Sequence, residues 1–477
     1  GDFGFLIGIF LCFTQFGSTD FSTIFNHDLL KEGAERGVGF YAIPFCLMVG
    51  AFGKSAQIPL FVWLPDAMAG PTPVSALVHA ATMVTAGVYL IARMMPVFVQ
   101  VPSALTVVAV VGGVTALFAG TIALCSNDLK GVFAYSTVSQ LGYMFLGLGS
   151  LSTLGAVSHL VTHAFFKALL FLTAGSVMHA LAGTLDIRTM GGLGKKMPVT
   201  KWLMFAGCLA LAGFPFTAGF FSKDAIIAAT WYHGTKDGGM LYYGLGTLAL
   251  ITALLTAFYT FRLWCIVFTG ETKFEMGDEH HSEDGEDHGH DDHHAHEPHE
   301  MPWWPMNLPL VILAIGSIIA GFFLFRNYYI ENLIAASSAG LYVSHGGTAE
   351  TIHKIMMVVS SLCAIGGIGA AFMCYTIKPE YAAYLGKAFK EAVRVLQGKY
   401  FIDEFYDRVM VRPLFITGQV LYLFDQLVIH AAIMSVGWAP RILGKSVQPT
   451  QTGKLHGYGL GMIAGFAAIA LLLLFLL

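Results

Sequence analysis

Apolar runs long enough to cross a bilayer, roughly 20 residues each, recur along the whole chain, with the polar residues gathered between them. Eleven such runs are read: 3–19, 38–54, 72–98, 103–125, 131–150, 154–181, 201–232, 240–269, 307–325, 352–375 and 457–477. The pattern predicts an all-α integral membrane protein of about eleven transmembrane helices. Residues 380–447 break the rhythm by mixing apolar and charged positions, as in KAFKEAVRV and YFIDEFYDRVMVRPLF. Such a stretch reads as a helix lying along an interface or on other protein, not as a span. If helical, Tyr400–Lys445 would reach roughly 65–70 Å, with 457–477 anchoring its far end.

Two apolar runs are interrupted by helix breakers beside an ionisable group. Around Lys54 stand Gly50, Gly53 and Pro59, and further on Pro65, Pro71 and Pro73; before Lys223 and Asp224 stand Gly213, Pro215 and Gly219. Breaks in a membrane helix free backbone carbonyls, which need protein partners or a wetted cavity. Two of them in one chain point to an inverted-repeat transporter. Asp224 would pair with Lys223 or cap the second half-helix. After the first break, Ser75, His79 and Thr82 share one face of a helix starting near Val74.

The run 154–181 holds His159, His163 and Lys167, spaced four and four, so the three climb one helix face at about 6 Å per step. Packing does not explain three ionisable groups in line within apolar sequence. A metal site would want a carboxylate beside the paired histidines, and this helix has none, so no metal is assigned. Two imidazoles leading to a lysine suit a proton relay. On 131–150, Ser136, Ser139, Gln140 and Tyr143 form a second stripe. Interhelical hydrogen bonding is the commoner fate of such a stripe; Gln and Tyr together tip the reading towards a wetted path. Lys130 is read as snorkelling to the interface. Asp2 either caps the first helix or faces a lysine inside the bundle.

Composition adds exclusions. The chain is 56% hydrophobic, with a mean hydropathy of +0.67; a soluble globular protein is excluded. Seven cysteines are scattered singly, without a C-x-x-C, which argues against iron–sulfur, haem or zinc sites of ordinary spacing. GGLGKK at Gly191–Lys196 lacks the earlier glycine of a phosphate loop. The net charge of −4 is local in origin. Residues 271–300 carry twelve carboxylates and eight histidines against one lysine, leaving 18 acids and 25 bases elsewhere. That segment reads as a solvated, disordered loop. The loops around 128–130, 188–201 and 378–399 are basic and fall on one side, which the positive-inside rule makes cytoplasmic.

The run GKSAQ, WLPDAM, GPTPVSAL and HAATMV across residues 53–84, with THAFFKALLFL further on, resembles the antiporter-like membrane subunits of respiratory complex I. That family is shared with multi-subunit cation/proton antiporters. The resemblance covers nearly the whole chain apart from the histidine-rich loop. It implies an inverted-repeat bundle with two broken helices, a lateral amphipathic helix and a terminal anchor. The expected divisions are 1–98 (end of a first repeat), 99–270 (second repeat), 271–302 (acidic loop), 303–378 (further spans), 379–455 (lateral helix) and 456–477 (anchor).

For function the resemblance implies proton translocation through Lys54, His79, His159, His163, Lys167, Lys223 and Asp224, with Asp2 as a possible ion-pair partner. Ser75, Thr82, Ser136, Ser139, Gln140 and Tyr143 would line the path. Quinone reduction, FMN and iron–sulfur clusters would belong to other subunits, leaving no cofactor in this chain. The implied partners are other membrane-arm subunits and lipids, with no nucleic acid, and the implied location is a bacterial cytoplasmic membrane. Five family helices, and a glutamate expected to partner the first lysine, precede the stretch present here. The lateral tail selects the largest of the antiporter-like subunits. The main alternative is a subunit of a cation (Na+)/proton antiporter without redox activity.

Overall fold

A computed structural model describes residues 1–26, 28–31, 37–274, 298–326, 330, 332–334 and 347–476. Among them the regular structure is helical, with one isolated bridge between Asp128 and Asp186. Two compact units are present, Gly1–Tyr400 and Phe401–Leu477.

The first unit contains α1 (Asp2–Phe16), α2 (Val38–Lys54), α3 (Thr72–Ala80), α4 (Ala86–Arg93), α5 (Pro102–Cys125), α6 (Leu129–Gly149) and α7 (Thr153–Ala180). It continues with α8 (Pro198–Ala212), α9 (Ala218–His233), α10 (Gly239–Phe268), α11 (Leu308–Arg326), α12 (Gly347–Phe372), α13 (Pro379–Ala388) and α14 (Lys390–Gln397). Among the described residues seven helices are long and apolar enough to cross a membrane, and Asp2–Phe16, Val38–Lys54 and Pro198–Ala212 are shorter apolar helices. The chain is a multi-pass integral membrane protein. Two of the eleven expected runs are not single helices: 72–98 divides after Ala80, and 201–232 divides after Ala212.

The middle of the bundle is α6. Every residue of it except Gly131 is buried, because α5, α7, α9 and α10 pack around it. A helix enclosed on all sides must be apolar or satisfied all round. Its approach to α5 is set by glycines. A Cβ on Gly142 would lie 2.6 Å from the Ala116 nitrogen and the Gly112 oxygen, and one on Gly149 2.6 Å from the Leu105 oxygen. Backbones this close exclude any side chain, the small-residue packing characteristic of membrane helices.

The start of α6 is fixed from three directions. Asp128 caps it by accepting from the Gly131 N–H, and Arg262 of α10 donates to the Ser126 carbonyl and Asn127 Oδ1, both at 2.9 Å. Lys130 does not snorkel to the interface: it is 4% exposed and donates to the Gly70 carbonyl at 3.2 Å. Gly70 lies in the short link between the turn 67–69 and α3, so its carbonyl is outside a helix and can take this ammonium. In the loop that follows α7, Arg188 donates to Asp186 at 2.6 Å, and this hydrogen bonding holds the Asp186 carboxyl below the usual carboxylate range.

Residues 275–297 of the acidic histidine-rich loop, read from the sequence as disordered, lie outside the described residues; its C-terminal end is described. Glu300 accepts from the Val199 N–H at 2.9 Å and from the Thr200 hydroxyl at 2.6 Å, capping α8 from a hundred residues away. A carboxylate there satisfies orphan donors and meets the positive end of the helix dipole. Glu300→Ala is expected to cost about 1 kcal/mol, read as a lower thermal inactivation temperature of the assembled complex, with Glu300→Gln losing less. Equal stability of Glu300→Ala and the parent would show that the cap carries no weight.

In the second unit, residues 402–447 form one long helix, α15, in which the turns Asp407–Val411 and Asp425–His430 are widened to π geometry. At 1.5 Å per residue it is about 70 Å long, more than twice the hydrocarbon thickness of a bilayer. Such length suits a helix running along a membrane, not across it. Leu414, Leu427, Val436 and Trp438 on it are exposed. The terminal helix α16 follows as Leu455–Leu476.

Candidate functional site

Three interruptions of the helical backbone supply the site. The first, residues 55–62, ends α2 at Lys54. Ala56 takes a positive φ of 50°, and the carbonyl of Gly53 accepts from the Trp63 indole at 2.9 Å while the Ile58 N–H donates to Thr115 Oγ1 at 3.2 Å. The second, residues 81–85, separates α3 from α4; the sequence pattern does not reveal it, because no glycine or proline marks it. There the freed carbonyl of Ala80 is bonded by His163 Nδ1 at 3.1 Å. The third, residues 213–217, separates α8 from α9, with Gly213 at φ 75° and Phe216 at φ 68°. Here the freed carbonyl of Leu211 accepts from Lys223 Nζ at 2.9 Å. Gly219 lets the half-helices meet, since a Cβ on it would collide with the Ala210 carbonyl oxygen. Two of the three breaks thus hand a backbone carbonyl to an ionisable side chain.

Between the second and third breaks, α7 lines up three buried ionisable groups, each bonded to a different neighbour. Histidines 159 and 163 and Lys167 are all 0% exposed, with the two imidazole centroids 6.3 Å apart. The carbonyl of Ala80 can only accept, so His163 carries its proton on Nδ1. His159 reaches Gln140 Oε1 of α6 at 3.1 Å through Nε2 and Ser222 Oγ of α9 at 2.8 Å through Nδ1. Ser222 also lies 3.0 Å from Thr162 Oγ1. Lys167 donates to the Phe133 carbonyl at 3.1 Å and to Ser136 Oγ. His159 therefore joins three helices and ends one residue from Lys223.

The remaining predicted residues fall in different places. His79 is buried, its ring 4.8 Å from that of Phe171, and neither nitrogen meets a hydrogen-bond partner among the described residues. Ser75 is buried on α3 but turns back to the Pro71 carbonyl at 3.4 Å. Thr82 is not on the face of Ser75 and His79: it lies in the second break, exposed, bonding the Leu77 carbonyl at 2.9 Å. Ser139 serves as interhelical glue, donating to the Ala116 carbonyl at 2.8 Å. The hydroxyl of Tyr143 donates to the Ala249 carbonyl at 2.5 Å.

Of the lysine and carboxylate readings, those of Lys54 and Asp224 change and that of Asp2 is decided between its two alternatives. Lys54 is not enclosed by the described residues; its side chain is 48% exposed and pairs with Asp2 at 3.5 Å. Asp2 is accordingly a lysine partner and not the helix cap, which is Gly1. Asp224 neither ion-pairs with Lys223 nor caps α9, whose N-cap is Thr217; it accepts from Ser360 Oγ of α12 at 2.5 Å. Adjacent residues on a helix point about 100° apart, so Lys223 turns inward to α8 while Asp224 turns to α12. The sequence pattern singles out neither Ser222 nor Ser360; Ser222, polar in the apolar run FFSKD, is the more visible signal.

Broken helices around buried lysines and histidines, on a bundle with a long trailing helix, define an antiporter-like ion-translocating membrane subunit. A profile of the family described as NADH:quinone oxidoreductase/Mrp antiporter, transmembrane, matches residues 1–247. The chain belongs to that family. It is 39% identical over 492 residues to NADH-quinone oxidoreductase subunit L of Neisseria meningitidis, covering 98% of this chain and 71% of that protein. It is 38% identical to F(420)H(2) dehydrogenase subunit L of Methanosarcina mazei, covering 89% of this chain and 63% of that protein. Its fold is similar to a chain of the Mrp complex from Dietzia sp., with a TM-score of 0.63 at 24% identity; 91% of this chain is covered, but it spans only 45% of that one.

Proposed function

We infer that this chain is the proton-translocating membrane subunit of an NADH:quinone oxidoreductase, a translocase in which this chain carries no redox centre. The similarity over nearly all of the chain to subunits of that name supports this. Quinone reduction, FMN and iron–sulfur chemistry belong to other subunits. A related membrane chain in an F(420)H(2) dehydrogenase agrees with a donor chosen elsewhere in the complex. We further propose that protons move between Lys54, His79, His163, Lys167, His159, Lys223 and Asp224, and that α15 lies along neighbouring membrane-arm subunits in a bacterial cytoplasmic membrane. The divisions at 98/99 and 270/271 are proposed as the limits of the antiporter-like repeats.

The observation that carries the reading is the bridge at His159, Gln140 to His159 to Ser222, buried throughout and ending on the residue that precedes Lys223 in α9. A buried charge is costly, and one charge moved through 100 mV is worth about 2.3 kcal/mol. The charge state of one lysine is therefore large enough to bias the next against a membrane potential. The test is purification of the native complex into vesicles. Flavin and iron–sulfur signals with NADH-driven proton uptake are expected; sodium-driven proton exchange from a preparation lacking both signals would overturn the reading in favour of a cation/proton antiporter.

A further inference from the structure

The sequence pattern puts Tyr143 on the polar stripe of α6, where its hydroxyl would be the useful group. In the fold that hydroxyl is occupied by the Ala249 carbonyl of α10. The ring is 0% exposed, and Lys223 Nζ lies over it, 5.2 Å from the centroid. A cation within about 6 Å of an aromatic centroid is attracted by the negative face of the ring, and more strongly where both are desolvated. Lys223 is 2% exposed. Its ammonium donates to a neutral carbonyl, that of Leu211, and Asp224 is turned away to Ser360. The groups that hold the ammonium are therefore electron-rich but uncharged.

We propose that Tyr143 is a positioning residue whose ring face holds the protonated Lys223, its hydroxyl serving to lock the ring in place. This rests on the reading of Lys223 as a proton carrier. A carboxylate at contact distance would neutralise the ammonium and fix it; a ring and a carbonyl steady it while leaving it free to give up its proton. Four helices build the arrangement: α6 supplies the ring, α10 the carbonyl that orients it, α9 the lysine and α8 the Leu211 carbonyl that accepts from it.

The experiment uses the assembled complex in vesicles, with proton uptake as the readout. Phenylalanine and its mono-, di- and trifluorinated forms are placed at position 143. Fluorine drains the ring face stepwise with little change in volume, so packing stays constant while cation attraction falls. Tyr143→Phe should stay within about twofold of the parent, and the fluorinated series should lose uptake step by step, to roughly tenfold with three fluorines. A flat series, or Tyr143→Phe as damaging as Tyr143→Leu, overturns the proposal. Lys223→Met separates the two levels. Normal uptake in that variant sinks the relay reading itself, whereas loss in Lys223→Met with a flat fluorine series sinks only the role of the ring.

Discussion

Lys167→Met is expected to reduce proton uptake into vesicles by at least about tenfold while the complex assembles with equal or greater stability. The two readouts move apart because the side chain has two opposed consequences. Its ammonium is fully buried and held by the Phe133 carbonyl and Ser136 Oγ, neither of them a carboxylate. Methionine matches its length and needs no hydrogen bond, and exchanging a buried charge for an apolar group of similar volume is often neutral or stabilising. Methionine cannot carry a proton. Lys167→Arg should fail as well, since a guanidinium does not release one. Single histidine substitutions at His159 or His163 should do less, because water can bridge the gap left by one imidazole. Unimpaired uptake in Lys167→Met would falsify the relay and leave Lys167 a packing residue.

Gly142→Leu should act in the opposite manner, removing the assembled complex without touching an ionisable group. At this position even a Cβ meets backbone atoms of α5 at 2.6 Å. Neither helix can yield easily, because α6 is enclosed by α4, α5, α7, α9 and α10. Overpacking a tight interior costs about 1–3 kcal/mol where side chains can adjust, and backbone contacts leave less room than that. Gly244→Ala on α10 is the control, since a methyl group there would meet nothing within 4 Å; removing a helical glycine at that position should be neutral or slightly stabilising. Native gels and thermal inactivation read both variants. A complex of normal stability with Gly142→Leu would show that the α5–α6 approach is looser than described.

Helix content, membrane class and the ionisable inventory were determined by the sequence alone. Those properties are local: apolar length fixes a span, glycine and proline beside Lys223 fix a break, and four-residue spacing fixes the face shared by His159, His163 and Lys167. What each of those groups bonds was decided only by the tertiary structure, because a hydrogen bond partner comes from whichever helix packs alongside. Nothing near Ala80 in sequence marks the second break or shows that its carbonyl would be taken by His163. Ser222 becomes a link only when α9 is laid against α7. Lys130 turns inward because the Gly70 carbonyl, outside any helix, lies within reach, and Asp224 turns to Ser360 because α12 passes on that side. The sequence sets which groups can hold a charge in the membrane; packing sets where each charge is held, since desolvated groups take the partners that the neighbouring backbone leaves free.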